Sequence, residues 1–152
     1  MTGHIEMMRL AESVALQSVC KRAQVGAVLA YGESTYTGFN HVIGNPKACC
    51  ENKDGKTKFF VLHAEMDALL QQGEDKQSRA RPVGATLYVT RQPCIACARL
   101  IVDAGIHAVY YRDADDKKDG LEYLRSHGVE VDSSWIQGQV QESWADRNGV
   151  AG

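Results

Sequence analysis

His63, Glu65, Cys94 and Cys97 are the residues of this 152-residue chain whose types and spacing could do chemistry. One imidazole and two thiolates are three ligands of the kind that bind zinc, and they leave the fourth tetrahedral position open to water. Two thiolates cancel the formal charge of the metal, so the ion acidifies its water less than it would among three neutral histidines. A general base beside the water is then needed, and Glu65 is the candidate. Neither half of the pattern decides alone. A Cys-x-x-Cys pair could be redox-active or half of a structural zinc site, and a His-Ala-Glu triplet is common by chance. A structural site would also normally supply a fourth protein ligand. Both halves together, with Pro93 ahead of the first cysteine, point to a catalytic metal centre.

These residues need elements that hold them in place. Cys94 and Cys97 lie at i and i+3, on one face of the first turn of a predicted helix over 94–104, and Pro93 suits a helix entry. His63 opens a second helix predicted over 64–72 and stopped at Gly73. Two helix N-termini thus face the metal, and their partial positive charge favours thiolates. Apolar residues at helical spacing predict a helix over 5–21. The runs 25–31 and 35–39, broken at Gly32-Glu33, predict an antiparallel hairpin. Strands are expected at 85–90, 106–112 and 129–132, with a helix at 121–127 ended by Gly128. Residues 41–58 hold Gly44, Pro46 and Gly55 among many charges and predict an irregular excursion. Strand-helix alternation after the hairpin favours a mixed sheet with helices on both faces. Trp135 and Trp144 suggest a C-terminal helix packed on the body or on a partner, or a partly disordered tail.

Length and the absence of a linker or repeat predict a single domain over 1–152. The apolar share of 44% and charged share of 24% are those of a soluble globular protein. A net charge of -2 and aromatics at 7% argue against a groove for a nucleic acid strand. No stretch reaches a membrane span, the first ten residues lack an apolar signal core, and zinc thiolates survive best where thiols stay reduced. The expectation is a cytoplasmic location.

The spacing His-x-Glu…Pro-Cys-x-x-Cys is the general signature of zinc deaminases, and longer stretches resemble the deoxycytidylate (dCMP) deaminases. Those stretches are Cys20 to Val28, Thr37 to Asn40, His63 to Leu70, Gly84 to Thr90, and Pro93 onward to Ile106. The resemblance implies a cytidine-deaminase-like α/β/α sandwich around a five-stranded mixed sheet. It implies hydrolysis of dCMP to dUMP and ammonia in thymidylate supply. It also implies a homohexamer with dCTP and dTTP as effectors. By the same resemblance His63, Cys94 and Cys97 match the zinc ligands, Glu65 the proton shuttle, and the Ala64 amide a contact to the pyrimidine carbonyl. Asn40 and Gln24-Val25-Gly26 would line the nucleotide pocket, with Asn40 alternatively a turn residue. Lys21 and Arg22 are candidate phosphate partners and equally candidates for a solvated helix end. Some relatives bind a second, structural zinc in these regions, so Cys20, Cys49 and Cys50 are candidate ligands as well as candidate free thiols.

Three departures from the family pattern stand out. His41 follows Asn40 where glycine is usual, Asp67 replaces asparagine, and Arg91-Gln92 replaces Leu-Ser before Pro93. They touch the loop after Asn40, a supporting hydrogen bond, and the rim of the site. Base or phosphate selectivity could shift with them. Deamination of dCTP, of a 5-substituted dCMP or of a base in nucleic acid is the alternative, and a non-catalytic zinc-stabilised module is a further one. Free cytidine deaminases typically carry cysteine at the position of His63, and retention of Glu65 argues against a purely structural metal.

Overall fold

A computed structural model describes residues 3–78 and 80–133. Trp135, Trp144 and the C-terminal helix expected around them lie outside the described residues. The chain opens with α1 (His4–Ala15), then the hairpin β1 (Gly26–Tyr31) and β2 (Ser34–Phe39). The short strands β3 (His41–Val42) and β4 (Val61–Leu62) close the excursion between them. Then follow α2 (Ala64–Glu74), β5 (Thr86–Arg91), α3 (Ile95–Ala104), β6 (Ala108–Asp113), α4 (Asp119–Ser126) and β7 (Glu130–Asp132).

The main sheet is mixed, in the order β2-β1-β5-β6-β7. β1 is antiparallel to both β2 and β5, whereas β5, β6 and β7 run parallel. Parallel neighbours require crossovers, and α3 and α4 supply them. Side chains alternate across the sheet, so each strand feeds two cores. Ala27, Leu29, Leu87, Val89 and Val109 pack with Ala68 of α2, Ile101 of α3 and Leu124 of α4. Val28 and Tyr88 face the other way, onto Met7, Met8 and Ala11 of α1. The result is the expected α/β/α sandwich on a five-stranded mixed sheet.

Two glycines let helices approach the sheet closely. A Cβ on Gly26 would stand 2.0 Å from the Ala11 carbonyl oxygen of α1, and one on Gly38 would stand 2.4 Å from the Ala64 carbonyl oxygen of α2. A side chain at either place would push a helix off the sheet, and α2 carries half of the site.

Some boundaries differ from expectation. α1 ends at Ala15, not Lys21, because the chain tightens into bonds from Leu16 to Ser13 and from Gln17 to Val14. The buried Ser18 then turns inward and donates to the Asn40 carbonyl. α2 runs through Gly73 to Glu74. Its stop is Asp75, whose carboxylate accepts from the Gln77 amide in a local turn.

Candidate active site

β4 delivers His63 to the start of α2, and the run-out of β5 delivers Cys94 to the start of α3. Both residues are N-caps with extended backbone, and neither side chain caps its own helix. A usual N-cap side chain would satisfy a helix amide. These two are directed at each other instead. His63 Nδ1 lies 3.2 Å from Cys97 Sγ and 3.6 Å from Cys94 Sγ. All three ligand atoms fall within 4.8 Å of one another. Zinc bonds of about 2.0 to 2.3 Å at tetrahedral angles demand ligand separations of about 3.5 Å, so the donor set fits the ion.

The protonation of the cluster makes the same point. A hydrogen bond from the Cys97 thiol and a second from His63 hold Cys94 down to about 3, as a thiolate. Cys94 in turn, together with burial, pushes Cys97 far above the ordinary thiol range. The bond to Cys94 also raises His63. A pair of sulfurs this close keeps one proton between them unless a cation replaces it, and a divalent ion is the natural replacement.

Glu65 lies in the first turn of α2 beside this cradle, 5% exposed. Burial lifts its carboxyl to about 7, within the range useful to a group that both takes and gives a proton near neutrality. The charge of His63 opposes that rise without cancelling it.

The cradle opens into a cavity of about 410 Å³. His63, Ala64, Glu65 and Cys94 form its floor, and Arg22, Val25 and Asn40 form one wall. Asn40 works through both ends of its amide. Its Oδ1 accepts from the Val25 amide at 2.8 Å, and its Nδ2 donates to the Ala23 carbonyl at 2.8 Å. It therefore shapes the 23–25 loop besides lining the cavity, which is more than a turn residue does. Val25 lines the cavity, but Gln24 does not: its amide reaches back to the Ser18 carbonyl. Gly26 serves the contact with α1. Of the two basic candidates, Arg22 borders the cavity. Lys21 is exposed and engages Glu51 through its backbone amide.

Glu51 was not singled out by sequence, yet its carboxylate clamps the loop by accepting from the amides of Lys21 and Arg22. The Lys21 bond holds it below the usual carboxylate range. Beside it Cys20 and Cys50 are joined as a disulfide. Cys20, Cys50 and Glu51 bring their ligand atoms within 4.8 Å of one another. Cys49 is not one of the three: its exposed thiol is directed at the Glu51 carbonyl, at 3.5 Å, and at Glu51 Oε1, at 3.8 Å.

The opposite wall belongs to residues 91–93 and 113–119. Gln92 is 7% exposed and holds that segment at three points. Its Oε1 accepts from the Asp115 amide at 2.8 Å and from Lys118 Nζ at 3.1 Å, while its Nε2 donates to the Lys117 carbonyl. At the start of α4, Gly120 presses on the Pro93-Cys94 backbone; a Cβ there would lie 2.3 Å from the Pro93 carbonyl oxygen. Asp115, Lys117 and Asp119 reach the cavity from this segment. A run of mixed charges reads in sequence as a solvated loop, so only the pairing of β6 with β5 reveals their place.

Two of the three departures from the family pattern meet in space. His41 Nδ1 donates to the Phe39 carbonyl and lies 3.9 Å from Asp67 Oδ2, while Asp67 accepts from the Phe39 amide at 3.1 Å. Histidine at 41 and aspartate at 67 are thus one feature, a buried polar link between the Asn40 strand and α2.

An α/β/α sandwich presenting one histidine, two cysteines and a buried glutamate at two helix N-termini defines the class of zinc-dependent deaminases. The family described as the cytidine and deoxycytidylate deaminase zinc-binding region matches residues 1–113, and this chain belongs to it. It is 35% identical over 117 residues to the deoxycytidylate deaminase of Mycobacterium phage D29, covering 67% of this chain and 88% of that protein. It is 30% identical over 169 residues to the deoxycytidylate deaminase of Enterobacteria phage T4, covering 82% of this chain and 86% of that protein. Among solved structures, the dCMP deaminase of cyanophage S-TIM5, in complex with dCMP and dUMP, superposes with a TM-score of 0.77 at 37% identity. That match covers 88% of this chain and 98% of the other. The chain is a deaminase of this family with zinc as its cofactor.

Proposed function

We propose that the protein hydrolyses dCMP to dUMP and ammonia, acting as a single domain over 1–152. The observation that supports this best is a 410 Å³ cavity with the zinc cradle and Glu65 at its floor and cationic groups at its rim, in a chain similar to a dCMP deaminase solved with dCMP and dUMP. Zinc held by His63, Cys94 and Cys97 supplies a Lewis acid for activating water. Glu65 takes a proton from the attacking water and delivers it to ring N3 as a C–O bond forms at C4. It then carries the second proton to the departing amine, the C4–N bond breaks, and ammonia leaves. The Ala64 amide, at the positive end of α2, would hold the pyrimidine carbonyl. Asn40 and Val25 shape the wall against the sugar.

Ammonia release from zinc-loaded protein offered dCMP, dCTP, deoxycytidine and CMP in parallel tests the assignment. Selective turnover of dCMP is the expected result. Preference for dCTP, for a 5-substituted dCMP or for a polynucleotide would replace it, and no turnover with zinc bound would support a non-catalytic module.

The proposal extends to a homohexamer activated by dCTP and inhibited by dTTP, which sedimentation with and without each nucleotide tests. It also places the enzyme in the cytoplasm; no helix among the described residues is long and apolar enough to cross a membrane. In that reducing setting Cys20 and Cys50 would be thiols. With Glu51 beside them they would offer a second zinc three ligands, in place of the Cys20, Cys49 and Cys50 set expected from sequence. Two zinc ions per chain under reducing conditions, falling to one in Cys50→Ser, is the expected result. One ion per chain in both would remove the second site.

A further inference from the structure

The rim of the cavity holds three cations, Arg22, Arg91 and Lys117, against three carboxylates, Glu51, Asp115 and Asp119. The carboxylates are already engaged. Glu51 accepts from two loop amides, Asp119 accepts from the Gly120 amide, and Asp115 takes Arg91 Nη2 at 2.6 Å. The side chains of Arg22 and Lys117 have no hydrogen-bond or ion-pair partner among the described residues. Arg91 lines the cavity three residues ahead of Cys94. Its side chain is 48% exposed, and its partner Asp115 is 36% exposed. Such an exposed pair is weak and exchangeable. The partner itself is not free to wander, because Gln92 fixes the Asp115 amide and the Lys117 carbonyl.

We infer that Arg91 and Asp115 form an exchange gate for the substrate's 5′-phosphate: Arg91 leaves Asp115 to bind a phosphate monoester, and Asp115 repels any longer phosphate chain. The planar guanidinium matches phosphate through two parallel hydrogen bonds, which a monoester dianion satisfies better than one carboxylate oxygen does. Arg22 and Lys117 complete the charge. Asp115, released but held in place by its backbone, then lies beside the bound phosphate, where a β-phosphate would meet like charge. Arg91 is in this sense a residue that sets specificity, and Gln92 is a positioning residue for the gate. The inference rests on the dCMP reading above.

Binding of the product dUMP and of deoxyuridine, measured by calorimetry on zinc-loaded wild type, Arg91→Gln and Asp115→Asn, separates the two ideas. Arg91→Gln should weaken dUMP relative to deoxyuridine by about 10- to 100-fold, the loss expected for a charge-assisted phosphate contact. Asp115→Asn should tighten dUMP and raise turnover of dCTP relative to dCMP. Arg91 is exposed and Asp115 half-buried, and an unchanged melting temperature would show that the fold is intact. An unchanged dUMP-to-deoxyuridine ratio in Arg91→Gln would overturn the gate, as would an unchanged dCTP-to-dCMP ratio in Asp115→Asn. Wild type that binds and turns over neither nucleotide would instead fell the dCMP reading, and the gate with it.

Discussion

The floor and the rim of the cavity are built by different means. At the floor, the backbone does the positioning: two helix N-termini, each with a ligand at its N-cap position, fix His63 and Cys94, and burial fixes Cys97 and Glu65. At the rim, side chains position backbone: Asn40 holds 23–25, Glu51 holds 21–22, and Gln92 holds 115–117. A floor carried by helix ends tolerates little change, since moving one ligand moves a helix. A rim carried by single polar side chains can be rebuilt one residue at a time. Reaction chemistry is thus housed in the stiff half and selectivity in the adjustable half.

The largest effect should come from breaking the floor. His63→Ala leaves two thiols and no imidazole, so zinc content by atomic absorption should fall by one ion per chain relative to wild type and ammonia release should fall to background. Retained zinc with retained turnover would show that the ligands lie elsewhere. Next comes the place where floor meets rim. Gly120→Ala puts a methyl against the Pro93 carbonyl, and overpacking of this kind costs about 1–3 kcal/mol. The melting temperature and kcat should drop together, because α4 must lift from the start of α3. A drop in stability alone would uncouple α4 from the metal cradle.

Changes confined to the rim should be gentler. Asn40→Ala strands the Val25 amide and the Ala23 carbonyl, at about 1–3 kcal/mol for an unsatisfied group. KM should rise more than kcat falls, and zinc should stay bound. Equal loss in both would place Asn40 in the reacting geometry itself. Asp67→Asn keeps an oxygen for the Phe39 amide, removes the charge facing His41, and turns an NH2 towards Gln71, whose side-chain amide donates to Asp67 Oδ1. Its cost should be less than about 1 kcal/mol, seen in a denaturant titration near neutral pH. The smallest effect follows pH. Glu51 is held below the usual carboxylate range, so its clamp is present at neutral pH and is lost as pH falls through that depressed value. Hydrogen exchange at the Lys21 and Arg22 amides, corrected for intrinsic rates, should lose protection on acidification. Protection independent of pH would assign the loop's order to another contact.

The same division decides what could be read from sequence. His63, Glu65, Cys94 and Cys97 are legible because helix-start geometry imposes fixed short spacings, and α3 was legible to within a residue. The sheet was legible because two-sided burial forces apolar strands. The rim was not. Glu51, Asp115, Lys117 and Asp119 lie in polar stretches without periodicity, and they reach the cavity through long-range pairing. Gln92 was visible as a departure at the rim, but its hold on 115–118 is seen only in its three bonds. The helix stop after Gly73 misled because that glycine faces open space, whereas the turn at Asp75 ends the helix. His41 and Asp67 were each visible as departures; only the fold shows that they face one another.

In the proposed reaction the floor holds zinc and every proton passes through Glu65. Glu65→Gln, which conserves shape, should be assayed for bound zinc and for ammonia release from dCMP on the same sample. One catalytic zinc should be retained per chain and turnover should fall by about 100- to 10,000-fold, the usual contribution of a positioned acid–base group. Zinc retained with turnover unchanged would contradict this role of Glu65.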